Sequence, residues 1–173
     1  GVATFANLAL TGTVGNYTIT FTSGALTAAT PGAIALSAGL PAALDFNTQP
    51  TTSVAGASIT PPVRVRVLDG GGNVVTTATT SITLSIGTNP GGSTLGGTTT
   101  VSASSGIAQF NALSLNRSGT GYTLAAAATG LTGATSAAFD ITPATASALA
   151  FTVQPGTTAA GVAIAPAVQV EVR

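Results

Sequence analysis

The chain has 173 residues, 45% of them apolar and only 5% charged, with a formal net charge of zero. That length suits one domain, or one domain flanked by pieces of others, and the missing basic excess removes the electrostatic footprint of a nucleic-acid or anionic-lipid binder. Histidine, cysteine and lysine are all absent. No Ser-His-Asp, Cys-His or Ser-Lys nucleophile, no imidazole or thiolate metal centre, no disulfide and no Lys–Asn isopeptide crosslink can therefore form.

In chain order, residues 1–10 (GVATFANLAL) bring no initiator methionine and no basic-then-apolar leader, which reads as a processed chain or an excerpt. Strand-like runs then recur at LDFNTQ (44–49), PVRVRVL (62–68), SITLSI (81–86), TTTVSAS (98–104), IAQFNALSL (107–115), GYTLAAAA (121–128) and ATSAAFDIT (134–142). Between them stand DGGGN (69–73), TNPGG (88–92), NRSGTG (116–121) and TGLTG (129–133). Gly and Asn there supply positive φ, and Pro presets φ for turns. No stretch shows a capped 3.6-residue period, and none is apolar for the 18 residues that a membrane span needs. About seven short strands with evenly spaced turns predict an all-β, antiparallel β-sandwich. Alternation places Val63, Val65 and Val67 inward with Arg64 and Arg66 outward. Ile82, Leu84, Ile86, Phe110, Leu113, Leu115, Leu124, Phe139 and Ile141 complete the predicted core.

The chain repeats itself at an offset of 105 positions. LDFNTQPTTSVAG (44–56) matches LAFTVQPGTTAAG (149–161), GVATFANLAL (1–10) matches GIAQFNALSL (106–115), and Tyr17-Thr18 matches Tyr122-Thr123. About 25 of the 68 comparable positions are identical, most of them apolar, Gly, Pro or Tyr. Those residue types set cores and turns, so the repeated object is a fold. The reading is three pieces: 1–38 as the C-terminal part of one repeat, 39–143 as a complete repeat, and 144–173 as the N-terminal part of the next. The closing alternation AVQVEVR (167–173) is then the counterpart of PVRVRVL (62–68), interrupted mid-domain. Head-to-tail complementation of 144–173 by residues 1–38 of another copy is the less favoured reading, because the composite would lack the counterpart of 69–105.

Several motifs invite a sharper reading. Asp69 and Asn73 offer oxygens in a Gly-rich loop, yet calcium wants six to eight oxygen ligands, so a tight connection is expected. The loops TNPGGSTLGG and SGTGYT lack the lysine and following helix of a phosphate cradle and read as turns. Arg64 and Arg66 could meet an acidic glycan, but solvated outward positions are expected. Asp45 and Asp140, on the first and last strands, could stand as neighbours at a sandwich edge, although paired-carboxylate hydrolysis would need a cleft that nothing indicates. Asn16-Tyr-Thr and Asn116-Arg-Ser fit the N-glycosylation acceptor pattern.

Tyr122, in SGTGYTL, opens the sixth strand just after a Gly-rich corner, and Tyr17 holds the equivalent place. With VRVLDGGGNVV, SITLSIG and GIAQF in the same order, the complete repeat and both fragments resemble bacterial immunoglobulin-like repeats of invasin- and intimin-type adhesins and other large surface proteins. The resemblance implies tandem immunoglobulin-like sandwiches and structural corner tyrosines at Tyr17 and Tyr122. It also implies an extracellular stalk, fibre or adhesive array on a bacterial surface. The shortage of charge departs from that pattern. Short Pro- and Ala-containing joints (36–44 and 141–149) favour a semi-rigid rod, each sandwich reaching roughly 35–40 Å. Expected partners are neighbouring repeats, lateral or head-to-tail copies in a fibre, or a host or cell-surface glycan or protein. A glycan- or protein-binding module and a spacer inside a secreted multi-domain enzyme are the alternatives.

Overall fold

Thr, Val and Ile fill the pleated positions, and every regular element is a strand. The computed structural model covers residues 1–173 and contains sixteen strands and no helix. The chain divides into two units, Gly1–Thr142 and Pro143–Arg173. In the first unit β1 (Gly15–Tyr17) and β2 (Ile34–Leu36) form an antiparallel pair. A sandwich follows, made of β3 (Pro41–Thr48), β4 (Ser53–Val54), β5 (Val63–Asp69), β6 (Ser81–Ile86), β7 (Leu95–Gly96), β8 (Thr100–Ser102) and β9 (Ile107–Phe110). It is completed by β10 (Ser114–Leu115), β11 (Gly119–Tyr122), β12 (Leu124–Ala127), β13 (Ala134–Thr135) and β14 (Phe139–Thr142). The second unit is the antiparallel pair β15 (Leu149–Val153) and β16 (Gln169–Val172).

One face of the sandwich is the sheet β3-β5-β9, and the other carries β13-β12-β6-β8. The hairpin β12–β13 continues as the pair β11–β14, to which β4 adds on the far side. That last pairing is parallel: Ser53 and Val54 of β4 lie beside Ile141 and Thr142. The segment from β3 to β4 thus begins antiparallel to β5 in one sheet and ends parallel to β14 in the other. This strand exchange, with the sheet layout, makes the fold an immunoglobulin-like antiparallel β-sandwich.

The core forms where the two inner faces meet. Val65, Val67, Ile82, Leu115, Tyr122 and Leu124 are fully buried, and Phe110 and Leu113 are almost so. All nine residues assigned inward on the later strands from the alternation are buried, except that Ile86 is half-buried against the core edge. Ile59, Val75 and Ala78 enter the core from connections, where no period of two marks them.

Three runs read as single strands are each divided. Residues 107–115 form β9 and β10, because Ala112 takes a left-handed φ of 56° that no strand accommodates. Residues 121–128 form the end of β11 and β12, with Thr123 outside both. Its hydroxyl instead accepts the Thr88 N–H at 2.8 Å. Residues 134–142 form β13 and β14, with Ser136 between them, where its hydroxyl accepts the Leu124 N–H at 2.9 Å.

Local geometry recurs at the 105-residue offset. The pairs Leu149↔Val172, Ala150↔Glu171, Phe151↔Val170 and Val153↔Gln169 in β15–β16 repeat the register of Leu44↔Val67, Asp45↔Arg66, Phe46↔Val65 and Thr48↔Arg64 in β3–β5. Tyr17↔Ile34 repeats Tyr122↔Phe139. The surroundings differ: Phe110 is 1% exposed and its counterpart Phe5 60%, Val65 is 0% and Val170 49%. Burial therefore decides what each residue is worth. Phe110→Ala should cost about 3–5 kcal/mol in urea unfolding, while Phe5→Ala should stay within about 1 kcal/mol. Equal losses at both positions would contradict this assignment of the core.

Candidate functional site

The best-organised polar cluster is the loop that closes β5. Asp69 is the last residue of β5 and is largely buried, and its carboxylate faces donors on every side. Oδ1 accepts the N–H groups of Gly71 (2.9 Å) and Asn73 (2.8 Å). Oδ2 accepts the N–H of Gly39 at 2.8 Å, thirty residues back in the chain. The Asn73 side-chain Nδ2 donates to both oxygens, at 3.2 and 3.1 Å. A backbone bond from Asp69 N–H to the Asn73 carbonyl (2.9 Å) closes the turn. Gly72 holds a φ of +81°, which a side chain would strain. A Cβ on Gly71 would meet Asn73 Nδ2 at 3.2 Å and Asp69 Oδ1 at 3.4 Å.

Four donors on one carboxylate fill its lone-pair directions. The backbone N–H of Gly39, followed by that of Asn73, holds the Asp69 carboxyl well below its ordinary value of 3.8, at about 2. A cation would have to displace those donors and would face N–H groups in place of oxygens. The loop is thus an anchor for backbone N–H groups and is chemically unsuited to calcium.

Asn73 also reaches outside the sandwich. Its Oδ1 accepts the Val14 N–H at 3.0 Å, and its Nδ2 donates to the Gly12 carbonyl at 3.0 Å. A cleft of about 220 Å³ opens beside these contacts, lined by Leu10, Leu36, Gly39 and the loop.

Tyr122 is fully buried, and its hydroxyl donates to the Arg117 carbonyl at 2.9 Å across the NRSGTG corner. Its ring lies 6.1 Å from that of Phe139. Gly91 must be glycine here, since a Cβ would collide with the Tyr122 hydroxyl and the Ser118 carbonyl. Tyr17 makes the shorter equivalent, donating to the Thr13 carbonyl at 2.6 Å, and is the one half-buried residue of β1.

The remaining candidates are dispersed. Arg66 is not a free outward cation: it pairs with Asp45 through two hydrogen bonds, Nε to Oδ1 at 2.8 Å and Nη2 to Oδ2. The Asp45 hydrogen bond raises the pKa of Arg66. Arg64 donates to the Gln109 side chain at 2.8 Å. Direct cross-strand pairing puts Asp45 opposite Arg66 and Arg64 beside Gln109. The carboxylates of Asp45 and Asp140 do not share an edge. Asp45 belongs to the β3-β5-β9 sheet, whereas Asp140 lies on β14 in the other layer and accepts the Gly121 N–H at 2.9 Å. It is β4, beyond the strand that carries Asp45, that runs beside β14. Asn16 is exposed on β1. Asn116 is exposed too, but its Oδ1 is engaged by the Ser93 hydroxyl and the Thr94 N–H, both at 2.9 Å.

No family model matches this chain, and no curated protein matches it. Among solved structures it is similar to a glycosyl hydrolase family 2 member from Bacteroides cellulosilyticus, with 17% identity, a TM-score of 0.47, 65% of this chain and 15% of that chain covered. It is also similar to a β-glycosidase from Bacteroides vulgatus (14%, 0.49, covering 66% and 16%) and to a Parabacteroides merdae β-glucuronidase (20%, 0.43, covering 63% and 14%). The chain spans about one sixth of the length of these proteins.

Two outcomes are expected from the cluster. Because the folded-state pKa of Asp69 is depressed, its contribution is complete above about pH 4 and disappears as pH falls from 3.8 towards about 2. Chemical denaturation of the wild type should thus be flat between neutral pH and pH 5, and Asp69→Asn should remove part of the acid-range decline. An Asp69→Asn protein with an unaltered pH profile would contradict the anchor. Tyr122→Phe should cost about 1 kcal/mol through the lost hydroxyl bond, and a neutral result would show that the corner does not use it.

Proposed function

We infer that the chain is a non-catalytic structural segment of a larger extracellular protein, in which sandwiches of this kind follow one another as a stalk, fibre body or spacer. The observation that carries this reading is the recurrence of β-pairing register at an offset of 105 residues, with apolar positions exposed in the flanking segments where their counterparts form the sandwich core. Phe5, Leu8 and Val170 correspond to Phe110, Leu113 and Val65, and such side chains lose their reason to be apolar unless a repeat of the same fold buries them.

Chemistry supports the non-catalytic half of the reading. The acidic groups are each spent on a structural partner: Asp45 on Arg66, Asp69 on its loop, Asp140 on Gly121 and Glu171 on Arg173. No carboxylate is left without a structural partner to serve as a general base. A surface with so few ions and many Thr and Ser hydroxyls suits a position outside the cell, either on a bacterial surface or as a spacer beside a secreted catalytic domain. Both settings ask the same thing of the fold, namely length and stiffness. Docking of a glycan or protein receives less support, because the exposed aromatics Phe5 and Phe151 are counterparts of the buried Phe110 and Phe46. Lateral or head-to-tail association of copies belongs to the fibre version of the proposal, since edges poor in charge are weakly protected against pairing.

Residues 39–143 produced alone should unfold in one cooperative transition, and a chain of several linked copies should lengthen in solution scattering by roughly 35–40 Å per copy. An isolated 39–143 that fails to fold, or hydrolysis of aryl glycosides by the full chain above the level of a blank, would overturn the proposal.

A further inference from the structure

Two contacts of Asn73, those to Gly12 and Val14, have no role inside the sandwich, and they are the feature that the proposed function leaves unused. Its side-chain amide lies against the backbone of residues 12–14, which form the corner before β1, as though it were a peptide group of an added strand. Oδ1 takes the Val14 N–H and Nδ2 gives to the Gly12 carbonyl, both at 3.0 Å. The second Nδ2 proton points to the Asp69 carboxylate, at 3.1–3.2 Å. Both amide protons and one lone pair of the oxygen are therefore in use, and the orientation is fixed: two acceptors on one side demand nitrogen there, and one donor on the other demands oxygen. Asp69 meanwhile grips Gly39, in the connector between β2 and β3. One five-residue loop thus holds the corner of the preceding segment, the connector and its own turn.

We propose that the Asp69–Asn73 loop is an inter-repeat clamp: Asn73 docks on the corner loop of the preceding repeat while Asp69 pins the connector, and together they fix the angle between consecutive sandwiches. The partner surface is backbone, so its recognition tolerates sequence change in the corner. Gly12 and Val14 have Arg117 and Gly119 as counterparts, and no side chain at those places takes part in the contact. Gly71 leaves room for the docking amide, since a Cβ there would press on Asn73 Nδ2 at 3.2 Å. A connector alone would leave two sandwiches free to swing. The clamp replaces that swing with two defined hydrogen bonds and a pinned linker.

This inference rests on the tandem reading for what the two bodies are, but its test is separate. The chain has no cysteine, so spin labels attach only at introduced ones, and Ala35→Cys on β2 and Ala127→Cys on β12 are both exposed positions. Pulsed electron-resonance distances on the full chain should give one narrow distribution. Asn73→Leu, which keeps the bulk and removes both bonds, should broaden it, and so should Val14→Pro, which removes the N–H from the other side. The melting midpoint of the sandwich and the amide protection of Gly71 report that the loop itself survives in each variant. A broad distribution in the parent chain, or variants as narrow as the parent, would overturn the clamp. Arrays that fail to lengthen while the narrow distribution persists would sink the spacer reading and leave the clamp standing.

Discussion

The alternation of Val63, Val65 and Val67 with Arg64 and Arg66 along β5 is the constraint on which the other strands depend. β5 is the middle strand of its sheet, paired to β3 on one side and β9 on the other, so its register sets both neighbours. A slip of one residue would turn three buried valines to solvent and two arginines into the core. Burial of an unpaired guanidinium is far costlier than any gain from a shifted ladder. The outward arginines then find their partners by position: Asp45 directly across from Arg66, and Gln109 beside Arg64. In β15–β16 the same register survives although the pair becomes Ala150 and Glu171, and Glu171 turns to Arg173 instead. The apolar alternation fixes the ladder, and the charges decorate it.

With only eight ionic side chains, the remaining order is built from backbone groups. Corners close on carbonyls through Tyr122 and Tyr17, loops close on amides through Asp69, Asn89 and Asn116, and strands exchange threonine and serine hydroxyls such as Thr83 with Thr100 at 2.9 Å. Polar groups spent in this way satisfy the fold and leave little for chemistry on a substrate. The same economy explains how a loop becomes a joint. An asparagine amide that mimics a peptide group can read another segment's backbone without any charge being placed between domains.

What the sequence discloses follows from the range of each interaction. Period-two alternation is local, so the faces of β5 and β6 and the inward set from Phe110 to Ile141 are legible from neighbours in the chain. Glycine and asparagine mark the turns for the same reason. The break between β9 and β10 leaves a trace as well, because Phe110 and Leu113 stand three apart where a continuous strand would need two. By contrast, β4 is two residues long and pairs with a strand nearly ninety positions away, and neither Ser53 nor Val54 signals it. Asp69 looks like a turn residue, and nothing near it announces that Gly39 is its partner. The reach of Asn73 to Gly12 and Val14 spans about sixty positions. Arg66 and Asp45 are legible as charges, but their pairing follows only from the register of β3 against β5. Side chains that act across the fold are invisible to a local pattern, and the joint is made wholly of those.

On the tandem proposal, the stretch from β3 to β14 is one self-supporting body whose stability does not depend on β1–β2 or β15–β16. Native-state hydrogen exchange on the full chain tests this directly, since amides that open only with global unfolding report membership of one cooperative unit. Amides of β5, β6, β9, β12 and β14 should share a single slowest opening free energy, with those of β1, β2, β15 and β16 exchanging through lower-energy openings. Protection spread evenly from residue 1 to residue 173, or slowest exchange in β15–β16, would contradict it.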